Sequence, residues 1–157
     1  MPVFLVRHAK AGDRAQWDGP DHLRPLSKAG RRQAKALAGT LAGRGAGRIV
    51  SSPSRRCVQS VEPVAGRLGL PVETHDALVE GASEEDVVGL ARKLAAEDPV
   101  LCTHGDVIPT LLEALAGRDG LRLPGRYRCA KGSVWVLEYE DGDAGCRFTA
   151  ATYIAAP

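Results

Sequence analysis

The chain has 157 residues, 44% hydrophobic and 25% charged, which suits one soluble domain with a substantial core, so residues 1–157 are read as a single domain. A net charge of +2 gives no reason to expect a nucleic-acid polymer as partner, and no apolar run approaches the ~18–20 residues of a membrane span. Neither a secretory h-region before Arg7 nor a Cys-x-x-Cys pair among Cys57, Cys102, Cys129 and Cys146 is present, so the expectation is a cytoplasmic protein with free thiols.

Val3-Phe4-Leu5-Val6 is a continuous apolar run and predicts a buried strand over residues 2–7 that ends in Arg7-His8-Ala9. Residues 10–25 are polar and turn-rich, with Gly12, Gly19 and Pro20, and form a long loop of the kind that often carries function. Asp21 and His22 in this loop either line an entrance or are plain surface groups. Ser27 is placed to cap a helix whose apolar repeat, Ala34, Leu37, Ala38 and Leu41, runs to about Gly43. Arg48 to Ser51 predicts a short strand and Ser54 to Leu68 a second helix, where Pro63 removes one amide donor and is a potential kink. Pro71 to Thr74 is a small edge-like strand. Ser83 caps a third helix with Val87, Leu90, Ala91 and Leu94 inward. Val100 to Thr103 is a core strand leading into His104-Gly105, and a fourth helix is expected from about Asp106 to Ala116. Ser133 to Tyr139 and Cys146 to Tyr153 predict a final hairpin around Asp141-Gly142-Asp143. Alternating strands and helices imply an α/β fold, a three-layer α/β/α sandwich around a mostly parallel but mixed sheet.

Several phosphate and hydrolase chemistries are excluded by missing motifs. The chain has no Gly-x-x-x-x-Gly-Lys-Ser/Thr, no Gly-x-Ser-x-Gly and no His-Glu-x-x-His, and no arginine lies six residues after any cysteine. No metal site is expected, because the four histidines lack ligand spacing. What remains is a set of polar residues at strand ends: Arg7, His8 and His104, with Arg56 in the first turn of the helix after the second strand. Open α/β sheets bind ligands beyond the carboxyl ends of their strands. A helix N-terminus and forked guanidinium donors both favour a phosphoryl group there. Arginine bias can equally reflect genome composition, and one of Arg55 and Arg56 fits a solvated helix charge.

These residues, in this order, resemble the histidine phosphatase superfamily, with its phosphoglycerate mutase-like fold. Arg7-His8-Ala9 is similar to its Arg-His-Gly/Ala signature. Ser52-Pro53-Ser54-Arg55-Arg56-Cys57-Val58-Gln59-Ser60 resembles its Ser-Pro-x-x-Arg-x-x-Gln-Thr segment, which selects Arg56 over Arg55. Thr103-His104-Gly105 resembles its late His-Gly element. Arg24-Pro25-Leu26-Ser27-Lys28-Ala29-Gly30 is similar to a step of the small SixA-like phosphohistidine phosphatase branch. The stretch from Cys102 to Pro109, with Arg118-Asp119-Gly120 and Lys131 to Leu137, resembles the histidine phosphatase domain that follows a Nudix domain in some MutT-like nucleotide hydrolases, although no Nudix box occurs here.

The resemblance implies a phosphatase in which neutral His8 attacks phosphorus and forms a phosphohistidine, while Arg7, Arg56 and His104 bind the phosphoryl oxygens and Arg24 adds a further contact. It implies no metal or organic cofactor. Glu80, in the loop after the third strand, is the best match for the acid that protonates the leaving oxygen, with Asp76 a weaker alternative. Glu84 and Glu85 belong instead to the first turn of the third helix. A carboxyl among cations needs burial to hold a proton; without it, phosphohistidine or anhydride substrates are favoured over esters. Lys131, with Arg126 and Arg128, either forms a basic rim for a nucleotide or is a solvated loop. The expected partner is a phosphorylated small molecule or a phosphohistidine protein. A phosphoglycerate-type mutase and a non-catalytic phospho-ligand binder are the alternatives, and oligomeric state is unreadable.

Overall fold

Alternation along the first strand decides the layering. In the computed structural model, which describes residues 1–157, β1 (Pro2–Arg7) sends Val3 and Leu5 to one face of the sheet and Phe4 and Val6 to the other, all essentially inaccessible to water. The first face packs with Val50, Leu101, Trp135 and Leu137 against α3 (Glu84–Leu94) and α4 (Val107–Asp119). The second packs with Ile49, Val100, Cys102 and Val134 against α1 (Lys28–Ala42) and α2 (Arg55–Leu68). A sheet strand that alternates between two buried faces requires helices on both sides, which is the three-layer α/β/α arrangement expected from the sequence. Truncating one central side chain, such as Leu5→Ala, would cost about 2–5 kcal/mol.

The remaining strands are β2 (Arg48–Ser51), β3 (Val72–Thr74), β4 (Pro99–Thr103), β5 (Val134–Gly142) and β6 (Gly145–Ile154). They lie in the order β3-β2-β4-β1-β5-β6. The first four are mutually parallel, while β5 pairs antiparallel with both β1 and β6, so the sheet is mixed. Register places the functional segments side by side: Arg7 is paired with Thr103, and Ser51 with Cys102. The ladder continues one residue further, with His8 N–H donating to the Thr103 carbonyl (3.1 Å) and Ser52 N–H to that of Cys102 (2.9 Å). His8, Ser52 and His104 therefore leave the sheet at one level.

Element boundaries differ from the expectations where end chemistry decides them. α4 runs three residues past Ala116, to Asp119, because the first left-handed glycine that can end it is Gly120 (φ 74°). The hairpin strands extend to Gly142 and from Gly145, so the tight turn is Asp143-Ala144 and not Asp141-Gly142-Asp143. Ser27 and Ser83 cap their helices as expected, accepting from Gly30 N–H and Asp86 N–H. Ser54 precedes α2 without a side-chain cap, and α2 continues through Pro63 to Gly69. The long loop after β1 contains two short 3-10 turns, Arg14–Gln16 and Asp21–Leu23. No helix is long and apolar enough to cross a membrane.

Candidate active site

The ends of β1, β2 and β4 open into a cleft of about 440 Å³ lined by Arg7, His8, Arg14, Arg24, Glu80, His104 and Lys131 among others. His8 is 6% exposed and its Nδ1 lies 2.8 Å from the Ala9 carbonyl oxygen. A carbonyl can only accept, so Nδ1 carries the proton and Nε2 keeps a free lone pair. Burial pushes the imidazole down to a pKa of about 3, against the Ala9 hydrogen bond, and the charges of Arg56, His104 and Arg7 push the same way. His8 is thus a neutral imidazole at physiological pH, with its free lone pair on Nε2.

His104 faces His8 edge-on, with ring centroids 5.5 Å apart. Arg56 Nη2 donates to His104 Nδ1 (3.4 Å), which leaves Nε2–H to donate to Ser52 Oγ (2.8 Å). Arg56 is 1% exposed while Arg55 is exposed, so the doublet divides as the resemblance implied, one cation inward and one in solvent. Arg7 Nη1 donates to the Cys129 carbonyl (2.6 Å), and Nε of both Arg7 and Arg56 is buried without a partner. Buried donors left unpaired are costly, and Arg7, whose guanidinium borders the cleft, is a cation an anion there would meet. No three His, Cys, Asp or Glu side chains converge in a way that would hold a metal ion.

The motif residues that do not face the cleft fix its walls. Ser60 Oγ accepts Ala9 N–H (2.8 Å) and donates to the Arg56 carbonyl (2.6 Å), tying the residue after His8 to the turn that carries Arg56. Gln59 Oε1 accepts Leu26 N–H (2.9 Å). Lys10 is held from three sides: its carbonyl accepts from Ser27 N–H (3.0 Å) and Ser27 Oγ (3.2 Å), and its N–H donates to Gln33 Oε1 (2.9 Å). A Cβ at position 30 would come within 1.8 Å of that carbonyl, so only glycine lets α1 approach. Gly105 has the same kind of role, since a Cβ there would lie 2.7 Å from the Arg7 guanidinium carbon.

Seven residues were expected in the site. Arg7, His8, His104, Arg24, Glu80 and Lys131 all line the cleft, and Arg56 reaches it through His104 while bordering a second cleft with His22 and Glu80. Arg24 is buried, donating to the Gly12 carbonyl (2.6 Å) and to Asp21 (3.1 Å). Glu80 is half exposed and pairs with Arg14 (3.5 Å) and Arg56 (3.7 Å). Burial, then the charges of Arg7, Arg24, Arg14 and Arg56, lower the Lys131 pKa. Arg126 and Arg128 do not line the cleft, and Asp76 lies in a separate groove beside α3, so the basic rim reduces to Lys131. Glu84 and Glu85 sit in the first turn of α3, where they pair with Arg118.

Asp21 is the residue the sequence left undecided. Its carboxylate meets three guanidiniums, those of Arg24 (3.1 Å), Arg56 (3.1 Å) and Arg14 (3.4 Å), and its carbonyl accepts from Arg56 Nη1 (3.0 Å). Burial pushes its carboxyl up, but the Arg24 hydrogen bond and the three positive charges outweigh this and hold it below the ordinary range. Its spacing of 35 residues from Arg56 leaves no local signature.

An α/β fold with a mostly parallel sheet, and with a neutral histidine and fixed arginines beyond the strand ends, defines an oxyanion-binding protein of the phosphoryl-transfer type. The chain belongs to the histidine phosphatase superfamily, branch 1, whose family model matches residues 3–86. It is 38% identical over 161 residues to the 8-oxo-(d)GTP phosphatase of Mycolicibacterium smegmatis, a match covering 99% of this chain and 48% of that protein. The chain therefore spans about half the length of this relative. A SixA-type protein of Agrobacterium tumefaciens shares the fold with a TM-score of 0.76 and 25% identity, covering 98% of this chain and 97% of that one. A mycobacterial glucosyl-3-phosphoglycerate phosphatase superposes with a TM-score of 0.75 at 21% identity, covering 99% of both chains, a likeness of fold.

Proposed function

We propose that this chain hydrolyses a phosphorylated small molecule by double displacement at His8. The observation that carries this reading is the Nδ1–H bond from His8 to the Ala9 carbonyl, which presents a neutral Nε2 beside Arg7 and His104. The Nε2 lone pair forms a bond to phosphorus as the bond to the leaving oxygen breaks. Water then attacks the phosphohistidine and releases inorganic phosphate, returning His8 to its neutral form. Arg7 and Arg56 stabilise the charge on the phosphoryl oxygens, and Arg24 and Lys131 hold the remainder of an anionic substrate. His104, edge-on to His8 in the same cleft, completes the set around the phosphoryl group.

The exposed Glu80 carboxylate, paired with two arginines, favours substrates whose leaving group needs little help from an acid. A phosphoanhydride satisfies this, and the similarity to an 8-oxo-(d)GTP phosphatase supports a nucleotide as its source. Glu80, which lines the same cleft as His8, remains the candidate proton donor for esters. A phosphohistidine protein is the second reading, supported by the SixA-type fold at 25% identity. Residues 1–157 act as one domain in this scheme, and the free thiols Cys57 and Cys102 suit the reducing cytoplasm. Hydrolysis of nucleoside triphosphates, sugar phosphates and a phosphohistidine peptide by wild type and His8→Ala tests the proposal. Equal turnover by the two proteins refutes it, and tight phosphate binding without turnover would leave a phospho-ligand binder.

A further inference from the structure

We propose that Asp21 is a positioning residue: it holds Arg56 and Arg24 as a fixed pair, oriented for a phosphoryl group before one arrives. This rests on the reading that the cleft binds a phosphoryl group. The side chains of Arg56 and Arg24 are 1% and 7% exposed, so two guanidinium charges are almost removed from water near a third, Arg7. Asp21 is the only carboxylate paired with Arg24, and the nearer of two to Arg56, since Glu80 stands at 3.7 Å. Its oxygens are divided between them: Oδ1 accepts from Arg24 Nε, Oδ2 from Arg56 Nη2, and the main-chain carbonyl from Arg56 Nη1.

The 3-10 turn Asp21–Leu23 supplies the rigidity, because Arg24 N–H closes it onto the same Asp21 carbonyl (3.1 Å). With both Nη atoms of Arg56 directed to Asp21, rotation of the guanidinium would break two bonds at once, and Nε stays unpaired. Like charges brought together in a low-dielectric wall repel strongly unless an anion lies between them. Without the Asp21 charge, the two arginines would separate toward water, and a phosphoryl group would have to reassemble them. A carboxylate held ionised by three cations is a counter-ion and not a proton donor.

Binding of inorganic phosphate by calorimetry, alongside hydrolysis of an aryl and an alkyl phosphate, tests this on wild type, Asp21→Asn, Asp21→Glu, Arg56→Ala and the double variant Asp21→Asn/Arg56→Ala. Asp21→Asn, with a thermal melt close to wild type, should bind phosphate about tenfold or more weakly and lose kcat/KM equally on both substrates, with partial recovery in Asp21→Glu. In the Arg56→Ala background the same change should cost clearly less than it does alone, because only its hold on Arg24 is left to lose, a non-additivity that a purely structural role would not give. Unchanged phosphate binding in Asp21→Asn, or fully additive losses, would overturn the proposal. A loss confined to the alkyl phosphate would overturn it in favour of a proton donor. A wild type that binds phosphate yet hydrolyses nothing would sink the phosphatase reading and leave the Asp21 series standing as its own test. A wild type that binds no phosphate would overturn both.

Discussion

His8 Nδ1 lies 2.8 Å from the carbonyl oxygen of its own neighbour, Ala9. That carbonyl selects the tautomer, and burial below the strand ends keeps the ring neutral. The unfolded chain would protonate this imidazole near pH ~6.5, whereas folded His8 resists until about 3. Between those values the unfolded state binds a proton that the folded state refuses, so this contribution lowers stability as pH falls from about 6.5 toward 3 and levels off below. His8→Asn removes the term. Melting curves between pH 7 and pH 4 should therefore decline less steeply for the variant than for wild type; identical slopes would mean that His8 is not held neutral by the fold.

Gly105 and Arg7 offer a test of position without a change of charge. A Cβ at residue 105 would stand 2.7 to 2.9 Å from the Arg7 guanidinium, so the guanidinium must move. Arg7 is held by the Cys129 carbonyl and not by a carboxylate, which makes the move cheap for the fold but not for the site. Gly105→Ala is expected to leave the melting temperature within a few degrees and to lower kcat/KM by about 10²-fold, the typical cost of ~1 Å misplacement. A loss of stability with catalysis intact would contradict this.

Ser60 accepts from Ala9 N–H while donating to the Arg56 carbonyl, so its hydroxyl joins the residue after His8 to the helix that carries Arg56. Ser60→Ala leaves a buried N–H unpaired, which costs about 1–3 kcal/mol. Denaturant titration reads the stability loss directly. The accompanying fall in kcat should exceed any change in KM, since the variant loosens geometry and not substrate contacts.

Much of this was legible in the sequence because it depends on local pattern. Apolar alternation in Val3 to Val6 fixes which residues face which helix layer, and Ser27 and Ser83 cap where they were expected to. Six of the seven expected site residues line one cleft because each follows a strand or sits in a motif whose spacing is short. Asp21 could be read only as an entrance residue or a plain surface group, because its partners Arg14, Arg24 and Arg56 come together only when the loop after β1 folds against α2. Arg126 and Arg128 misled for the opposite reason: neighbours of Lys131 in sequence, they do not share its cleft. The exposure of Glu80 and its pairing with Arg14 and Arg56 are tertiary properties with no sequence signal.

Glu80 separates substrate classes. If it protonates the leaving oxygen of esters, Glu80→Gln should lower turnover of an alkyl phosphate by about 10²-fold or more, the usual size of general acid catalysis. A nucleoside triphosphate, whose leaving group is already a weak base, should lose far less. Equal losses on the two would show that Glu80 acts by ordering Arg14 and Arg56, the cations it already contacts.

The identity of the nucleophilic atom is best reached by quenching the enzyme during turnover of a phosphate-labelled substrate and mapping the label. The geometry predicts a phosphoenzyme that is labile in acid and stable in base, with the phosphoryl group on Nε2 of His8, because Nδ1 is committed to Ala9. Label on any other residue, on Nδ1, or on no residue at all while substrate is being consumed would contradict a double displacement at His8.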